Sequence, residues 1–165
     1  MPTTKEDLKK LTQLGKGSAK PARTLEVFPN HSGQNLEVEL HCTEFTCRCP
    51  LTGQPDYAEI LITYVPNKYV VESKSMKLYL ETFREVGVFH EHLAVDIGND
   101  FVKFVKPKKC EVEVIFNTRG GIAISARWKM GNKATNSEGF DDDETYFTKD
   151  DSGIIRAYVN GREEK

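Results

Sequence analysis

The chain has 165 residues, 38% of them hydrophobic and 29% charged, with a formal net charge of -2 and a pI of about 6.1. That is one domain's length, enough to bury a core, and its charge leaves no basic footprint for nucleic acid or an anionic membrane. No apolar run approaches the ~18 residues a membrane span needs, and the polar, lysine-rich residues 1–20 lack a signal peptide's apolar centre, so a cytoplasmic location is expected.

Residues 1–34 read as a flexible lead-in, with Lys, Gly, Ser and Pro in no sustained period. Asn35 to His41 alternates Leu36, Val38 and Leu40 against Glu37 and Glu39, the pattern of a half-buried strand. Cys42 to Pro55 reads as a long connection, with a turn at Thr52-Gly53-Gln54-Pro55. A second strand is expected over Tyr57 to Tyr64, with Ile60 and Ile62 opposed to Glu59 and Thr63. Pro66-Asn67-Lys68 interrupts the chain. Met76, Leu80 and Phe83 then share one face of a helix predicted over Lys74 to Val86, ended by Gly87. A second helix over His90 to Val105 aligns Leu93, Ile97, Phe101 and Phe104, and Pro107 stops it. Strands over Lys109 to Asn117 and Gly121 to Trp128 flank a hairpin turn at Thr118-Arg119-Gly120-Gly121.

The order strand-strand-helix-helix-strand-strand predicts an α+β domain over residues 35–128, with helices on one face of an antiparallel sheet. The other face would carry Glu37, Glu39, Glu59, Glu111 and Glu113. Open sheet edges invite pairing between copies, so a ring-like homo-oligomer is expected. Residues 129–165 read as a polar, acidic extension. Its Asp141-Asp142-Asp143-Glu144 run lacks calcium-loop spacing and reads as solvated, and Ile154 to Val159 reads as a short strand.

Four cysteines are present: Cys42, Cys47, Cys49 and Cys110. In a reducing compartment they are free thiols or metal ligands, and no Cys-x-x-Cys pair supports a structural zinc site. Cys49 precedes Pro50, which resists helix and places the thiol on an irregular connection. It is either a small buried hydrophobe or a reactive thiol, with Arg48 and His90 as charges that could lower its pKa. Asp56 opens the second strand. Buried and partly protonated it could donate a proton; otherwise it closes the turn. Ser73 is a candidate N-cap. Lys74 and Lys77 oppose the helix dipole, as two solvated lysines or as partners of a phosphate. Glu91 is either a helix-start carboxylate or a two-oxygen acceptor for a guanine-like edge. Arg119 is a turn residue or a phosphate ligand.

Three blocks then stand in register: Cys49-Pro50-x-Thr52-Gly53-Gln54-Pro55-Asp56-Tyr57, Glu72-Ser73-Lys74-Ser75-Met76-Lys77-Leu78-Tyr79, and Phe89-His90-Glu91. Together they resemble the NADPH-dependent 7-cyano-7-deazaguanine reductases, the nitrile reductases of queuosine biosynthesis, in their short single-domain form. The resemblance covers about residues 35 to 128. It implies the tunnelling fold, a barrel built by several subunits, stacking of two pentamers into a decamer, and sites between subunits. It implies that Cys49 attacks the nitrile carbon to form a covalent thioimide and that Asp56 supplies a proton. Val71, Glu72, Ser73, His90 and Glu91 fall on substrate-binding positions. Lys74, Lys77 and Arg119 fall on positions for NADPH phosphates. No metal is implied and no direct nucleic-acid or membrane contact. No Gly-x-Gly-x-x-Gly motif is present, so a Rossmann unit is not expected. An amidine-forming enzyme on the same fold, a zinc cyclohydrolase and a non-catalytic purine-binding scaffold are the competing readings; the residues 129–165 match little of the family.

Overall fold

Period-two alternation builds the sheet, and period-3.6 patterning lays the helices over it. The computed structural model describes residues 4–12, 20–32, 35–130, 145–149, 155–159 and 162–163. The chain divides into two units, residues 1–130 and 131–165. In the first, strands β2 (Val38–Arg48), β3 (Pro55–Val65), β5 (Lys109–Arg119) and β6 (Ile122–Lys129) form one antiparallel sheet in the order β2-β3-β5-β6. Two helices, α2 (Ser73–Glu81) and α3 (His90–Val105), supply the rest of the core.

Every second residue of β3 from Asp56 to Tyr64 is buried, and β5 buries Val112, Val114 and Phe116 in the same way. Met76, Tyr79 and Leu80 of α2 and Leu93, Ile97, Phe101 and Val105 of α3 meet them. Tyr64 packs edge-on to Phe101 with ring centroids 4.9 Å apart. Alternation sends the intervening residues to the other face, where charges pair across strands: His41 with Glu59 at 2.8 Å, and Arg127 with Glu111 at 3.0 Å and Glu113 at 2.7 Å. Among the described residues, β2 and β6 have no strand on their outer sides.

Several elements differ from expectation. The first strand does not stop at His41. It continues to Arg48, and a β-bulge between Cys42 and Phe45 shifts its register against β3. Leu40 and Cys42 face inward before the bulge, Phe45 and Cys47 after it. The phase change hides the second half of the strand from an alternation test. The long connection therefore shrinks to residues 49–54. Helix α2 ends at Glu81 rather than Val86, and its N-cap is Glu72, not Ser73: the Glu72 carboxylate accepts the N–H groups of Lys74 at 2.8 Å and Ser75 at 2.7 Å. Gly87 sits beyond that helix with no left-handed φ to end it. The β5–β6 turn narrows to Gly120-Gly121, at φ 58° and 81°, which puts Arg119 on the strand. Helix α3 has the expected bounds, closed by Lys106 at φ 51° and then Pro107.

The lead-in holds two elements. Helix α1 (Lys5–Lys9) starts with a capping box between Thr4 and Asp7. Asp7 also pairs with His31 at 2.8 Å, and these bonds draw its carboxyl down to about 2, the Thr4 backbone N–H first and His31 next. Strand β1 (Val27–Pro29) pairs with β4 (Tyr69–Val71). Three-residue strands carry too little alternation to be read from sequence. In the second unit, β7 (Thr145–Lys149), β8 (Ile155–Val159) and β9 (Arg162–Glu163) form an antiparallel sheet. The acidic run at 141–144 lies outside the described residues.

Gly98 lets α3 lie close on β6. A Cβ built there would overlap the Trp128 ring. Gly98→Ala must shift that ring or the helix, and overpacking of this kind costs about 1–3 kcal/mol. A melting curve of the variant should show a Tm several degrees lower; an unchanged Tm would mean the ring moves aside freely.

Candidate active site

Cys49 leaves β2 and enters a short turn. Two hydrogen bonds close it: the Cys49 N–H donates to the Gln54 carbonyl at 2.8 Å, and the Gly53 N–H donates to the Cys49 carbonyl at 3.0 Å. Gly53 takes φ +69°, the left-handed region that favours glycine. The second bond closes a helix-like turn, which aims the next N–H groups back at the thiol. The Thr52 hydroxyl and the N–H groups of Thr52 and Leu51 hold the sulfur and lower its pKa from 9.0 to about 7. Desolvation and then Asp56 nearby oppose that shift without cancelling it.

The charges expected to activate the thiol are occupied elsewhere. Arg48 donates from Nε to Glu85 at 2.7 Å and from Nη1 to the Gly53 carbonyl at 3.0 Å. His90 faces Asp56, not Cys49. Activation comes from dipoles and a hydroxyl rather than from cations. The other thiols go the opposite way. Burial first, then Asp56 and Cys49, pushes Cys47 up to about 11. Burial first, then Glu111, pushes Cys110 up to about 12.

The low value sets a test. A thiol is nucleophilic only as thiolate, so a lowered pKa moves reactivity to lower pH. Alkylation of Cys49 by iodoacetamide should rise through a midpoint near 7, while Cys47 and Cys110 stay unmodified until the protein unfolds. Peptide mapping across a pH series reads both; a Cys49 midpoint at or above 8.5 would contradict the hydrogen-bonded turn.

Asp56 opens β3 directly opposite Cys47, and its side chain is 1% exposed. It accepts a hydrogen bond from Arg119 Nη1 and lies 3.4 Å from His90 Nε2. The bulge between Phe116 and Arg119 on β5 turns the guanidinium back over the sheet end, where Nη2 also reaches Gln54 Oε1 at 3.5 Å. His90 opens α3 and stacks on Phe116, ring centroids 3.6 Å apart and planes within 10°. Glu91, next along the helix, is exposed. Cys49, Asp56, His90, Glu91 and Arg119 therefore collect at one end of the sheet. Arg119 stands there as the counter-ion of Asp56.

The other expected residues do not join them. Val71 ends β4, Glu72 follows it and Ser73 opens α2, beyond the far end of β3. The Val71 N–H donates to the Tyr64 hydroxyl at 3.2 Å. Asp56 and Tyr64 lie at opposite ends of β3, roughly 25 Å apart at about 3.3 Å per residue. Glu72 is buried, with both carboxylate oxygens engaged by the start of α2. Its N–H donates to the Glu26 carbonyl at 2.8 Å, so the lead-in holds this segment too. Lys77 and Ser73 line a groove of about 690 Å³ between α2 and the free edge of β2, with Lys74 on the helix turn between them. Glu72 already occupies the first N–H groups of α2, so a phosphate there would meet the lysine side chains.

Sequence reasoning missed Thr52, Gln54 and Phe116. The turn signal at Thr52-Gly53 follows Cys49 closely enough to have suggested N–H groups aimed at the thiol. Nothing in the sequence announces the ring stack. Among the described residues, no group of three or more His, Cys, Asp or Glu could hold a metal ion, and no helix is long and apolar enough to cross a membrane.

Residues 55–135 match the model of the family described as QueF-like protein. The NADPH-dependent 7-cyano-7-deazaguanine reductase of Frankia casuarinae is 54% identical over 116 residues, 70% of this chain and 92% of that protein. The one from Syntrophus aciditrophicus is 48% identical over 74% of this chain and 88% of that protein. The one from Bacillus thuringiensis is 45% identical over 81% and 84%. Among solved structures, the archaeosine synthase QueF-Like in the apo form superposes with a TM-score of 0.56 at 23% identity, over 59% of this chain and 96% of that one. At that identity the match speaks for the fold alone.

Proposed function

The chain belongs to the QueF family of NADPH-dependent 7-cyano-7-deazaguanine reductases, and from that premise we infer that Cys49 and Asp56 carry its reaction. The reaction reduces the nitrile of 7-cyano-7-deazaguanine to the aminomethyl group of 7-aminomethyl-7-deazaguanine, in queuosine biosynthesis. The observation that carries the residue assignment is the pairing of an activated thiol with a buried carboxyl across one short turn.

A nitrile carbon accepts hydride poorly. Addition of the Cys49 thiolate forms a C–S bond, and the nitrogen takes a proton, giving a thioimide in place of one hard step. Asp56 is placed to deliver that proton, since its carboxyl opens β3 beside the thiol turn. Arg119 neutralises the carboxylate between deliveries. After the first reduction the C–S bond breaks and thiolate returns to its turn; the resulting imine is reduced to the amine. NADPH supplies both hydrides, two molecules per nitrile, with two protons from solvent through the site. Phe116 and the Asp56 carboxylate fix the His90 ring, which sets the start of α3 and the exposed Glu91 carboxylate. Glu91 meets the ring N–H and amino group of the deazaguanine.

Lys74 and Lys77 fit NADPH phosphates. The first turn of α2 contains no acidic residue, and the groove beside it carries Lys77 and Arg84 as well as Glu39, Glu44 and Glu81. Arg119 would join them only from the other end of a sheet.

The distance between the two clusters supports sites shared between copies. One chain cannot bring Val71–Ser73 to its own Cys49, but a neighbouring copy can, and the free edges of β2 and β6 offer the means of pairing. A cytoplasmic ring, with two pentamers stacked into a decamer, fits this arrangement. Light scattering at micromolar concentration should give several chain masses; a value near 18.7 kDa would contradict shared sites.

Turnover is tested by NADPH absorbance with 7-cyano-7-deazaguanine, with two NADPH consumed per aminomethyl product. An amidine-forming enzyme would form the thioimide and leave NADPH untouched.

A further inference from the structure

The segment between α2 and α3 does more than connect them. Arg48, the last residue of β2, forms a parallel β-bridge with Gly87. Its N–H donates to the Val86 carbonyl at 3.0 Å, and its carbonyl accepts the Val88 N–H at 3.1 Å. The guanidinium adds two ties, to the Glu85 carboxylate at 2.7 Å and to the Gly53 carbonyl at 3.0 Å. One residue therefore binds both the connecting segment and the far side of the Cys49 turn.

Gly87 is where the two backbones come closest. A Cβ on it would lie 2.9 Å from the Pro50 Cα, a backbone atom with no flexible side chain to yield. Its φ is ordinary, so space rather than backbone conformation demands glycine here. Cys49 is one residue from this bridge on one strand. His90 and Glu91 are three and four residues from it on the other.

We propose that the Arg48–Gly87 bridge is a positioning device that sets the Cys49 sulfur against the substrate-binding start of α3. Arg48 and Gly87 touch no substrate; they act through the turn and through Phe89-His90-Glu91. Thiolate addition needs the sulfur near the nitrile carbon while Glu91 holds the purine-like edge. Misplacement by about 1 Å can cost on the order of a hundredfold in rate. The proposal rests on Cys49 as the nucleophile.

Two variants of the full chain test it. Gly87→Ala pushes Pro50 away. Arg48→Met keeps an unbranched stem and removes the ties to Glu85 and Gly53. Two readouts separate positioning from plain stability. The first is the pH profile of Cys49 alkylation, which needs no substrate; Asp56 and Cys47 are the titratable groups facing the thiol. The second is the rate of covalent adduct formation with 7-cyano-7-deazaguanine. Both variants should move the alkylation midpoint upward and slow adduct formation about ten- to a hundredfold, with a Tm near that of the parent for Arg48→Met. Arg48→Lys, which can restore one tie, should recover part of the rate. Parent midpoints and parent adduct rates in both variants would overturn the proposal. Should Gly87→Ala not fold, Arg48→Met alone decides, and an unchanged adduct rate in it overturns the proposal. Loss of the nucleophile reading would appear differently, as turnover retained by Cys49→Ala.

Discussion

Cys49→Ala should bind 7-cyano-7-deazaguanine and fail to reduce it. The expected loss in kcat is roughly a thousandfold or more, the scale on which removal of a covalent nucleophile acts. No other thiol can take its place. Cys47 and Cys110 are buried, and burial pushes both thiols well above neutrality. Cys42 lies on β2 before the bulge, away from the turn that holds Cys49. The alanine should not harm the fold, because the closing bonds of the turn run through the backbone of residue 49 and not its side chain. NADPH consumption by the purified variant, beside its melting curve, checks both halves. A variant with a tenth of parental turnover would mean that hydride reaches the nitrile without a thioimide.

Asp56→Asn is the second large effect. The amide keeps the shape of the carboxyl and can still accept from Arg119, but it cannot deliver a proton to the nitrile nitrogen. General-acid contributions are typically about a hundredfold to ten-thousandfold, and kcat should fall within that range with substrate affinity little changed. Arg119 is 44% exposed, so its guanidinium can turn to water when its counter-ion is gone, and the cost in stability should be modest. Steady-state kinetics with each substrate varied in turn separates the terms. A rise in KM at unchanged kcat would make Asp56 a binding residue and leave the proton source elsewhere.

The sheet was legible where its alternation keeps phase. Both ends of α3, the core face of β3 and the presence of a glycine hairpin turn between β5 and β6 follow from spacing and turn chemistry, though the turn is two residues shorter than expected. The second half of β2 did not, since a bulge inverts the pattern without changing composition. Helix α2 ends five residues before the expected Val86, while Phe83 continues the apolar face through a turn that is no longer helix. Ser73 looked like the cap because Ser is the commoner choice; Glu72 wins by reaching two N–H groups at once.

Of the site, the sequence pattern marked Cys49 and Asp56 as neighbours across a turn. It misassigned what activates the thiol. Arg48 adjoins Cys49 in sequence and His90 opens α3 within a matching block, but each has a closer partner in space. The Thr52 hydroxyl and two backbone N–H groups do the activating, and backbone geometry is invisible to composition. The partition of the expected substrate-binding residues between the two ends of the sheet was equally hidden, because order along a chain does not reveal separation across it.

The most direct measurement is the intact mass of the protein after incubation with 7-cyano-7-deazaguanine and no NADPH. A thioimide adds the whole substrate, since thiol addition to a nitrile releases nothing. Each reactive chain should gain one substrate mass, located at Cys49 by fragmentation, and Cys49→Ala should gain none. An unmodified parent protein that nonetheless reduces the nitrile when NADPH is supplied would contradict covalent catalysis by Cys49.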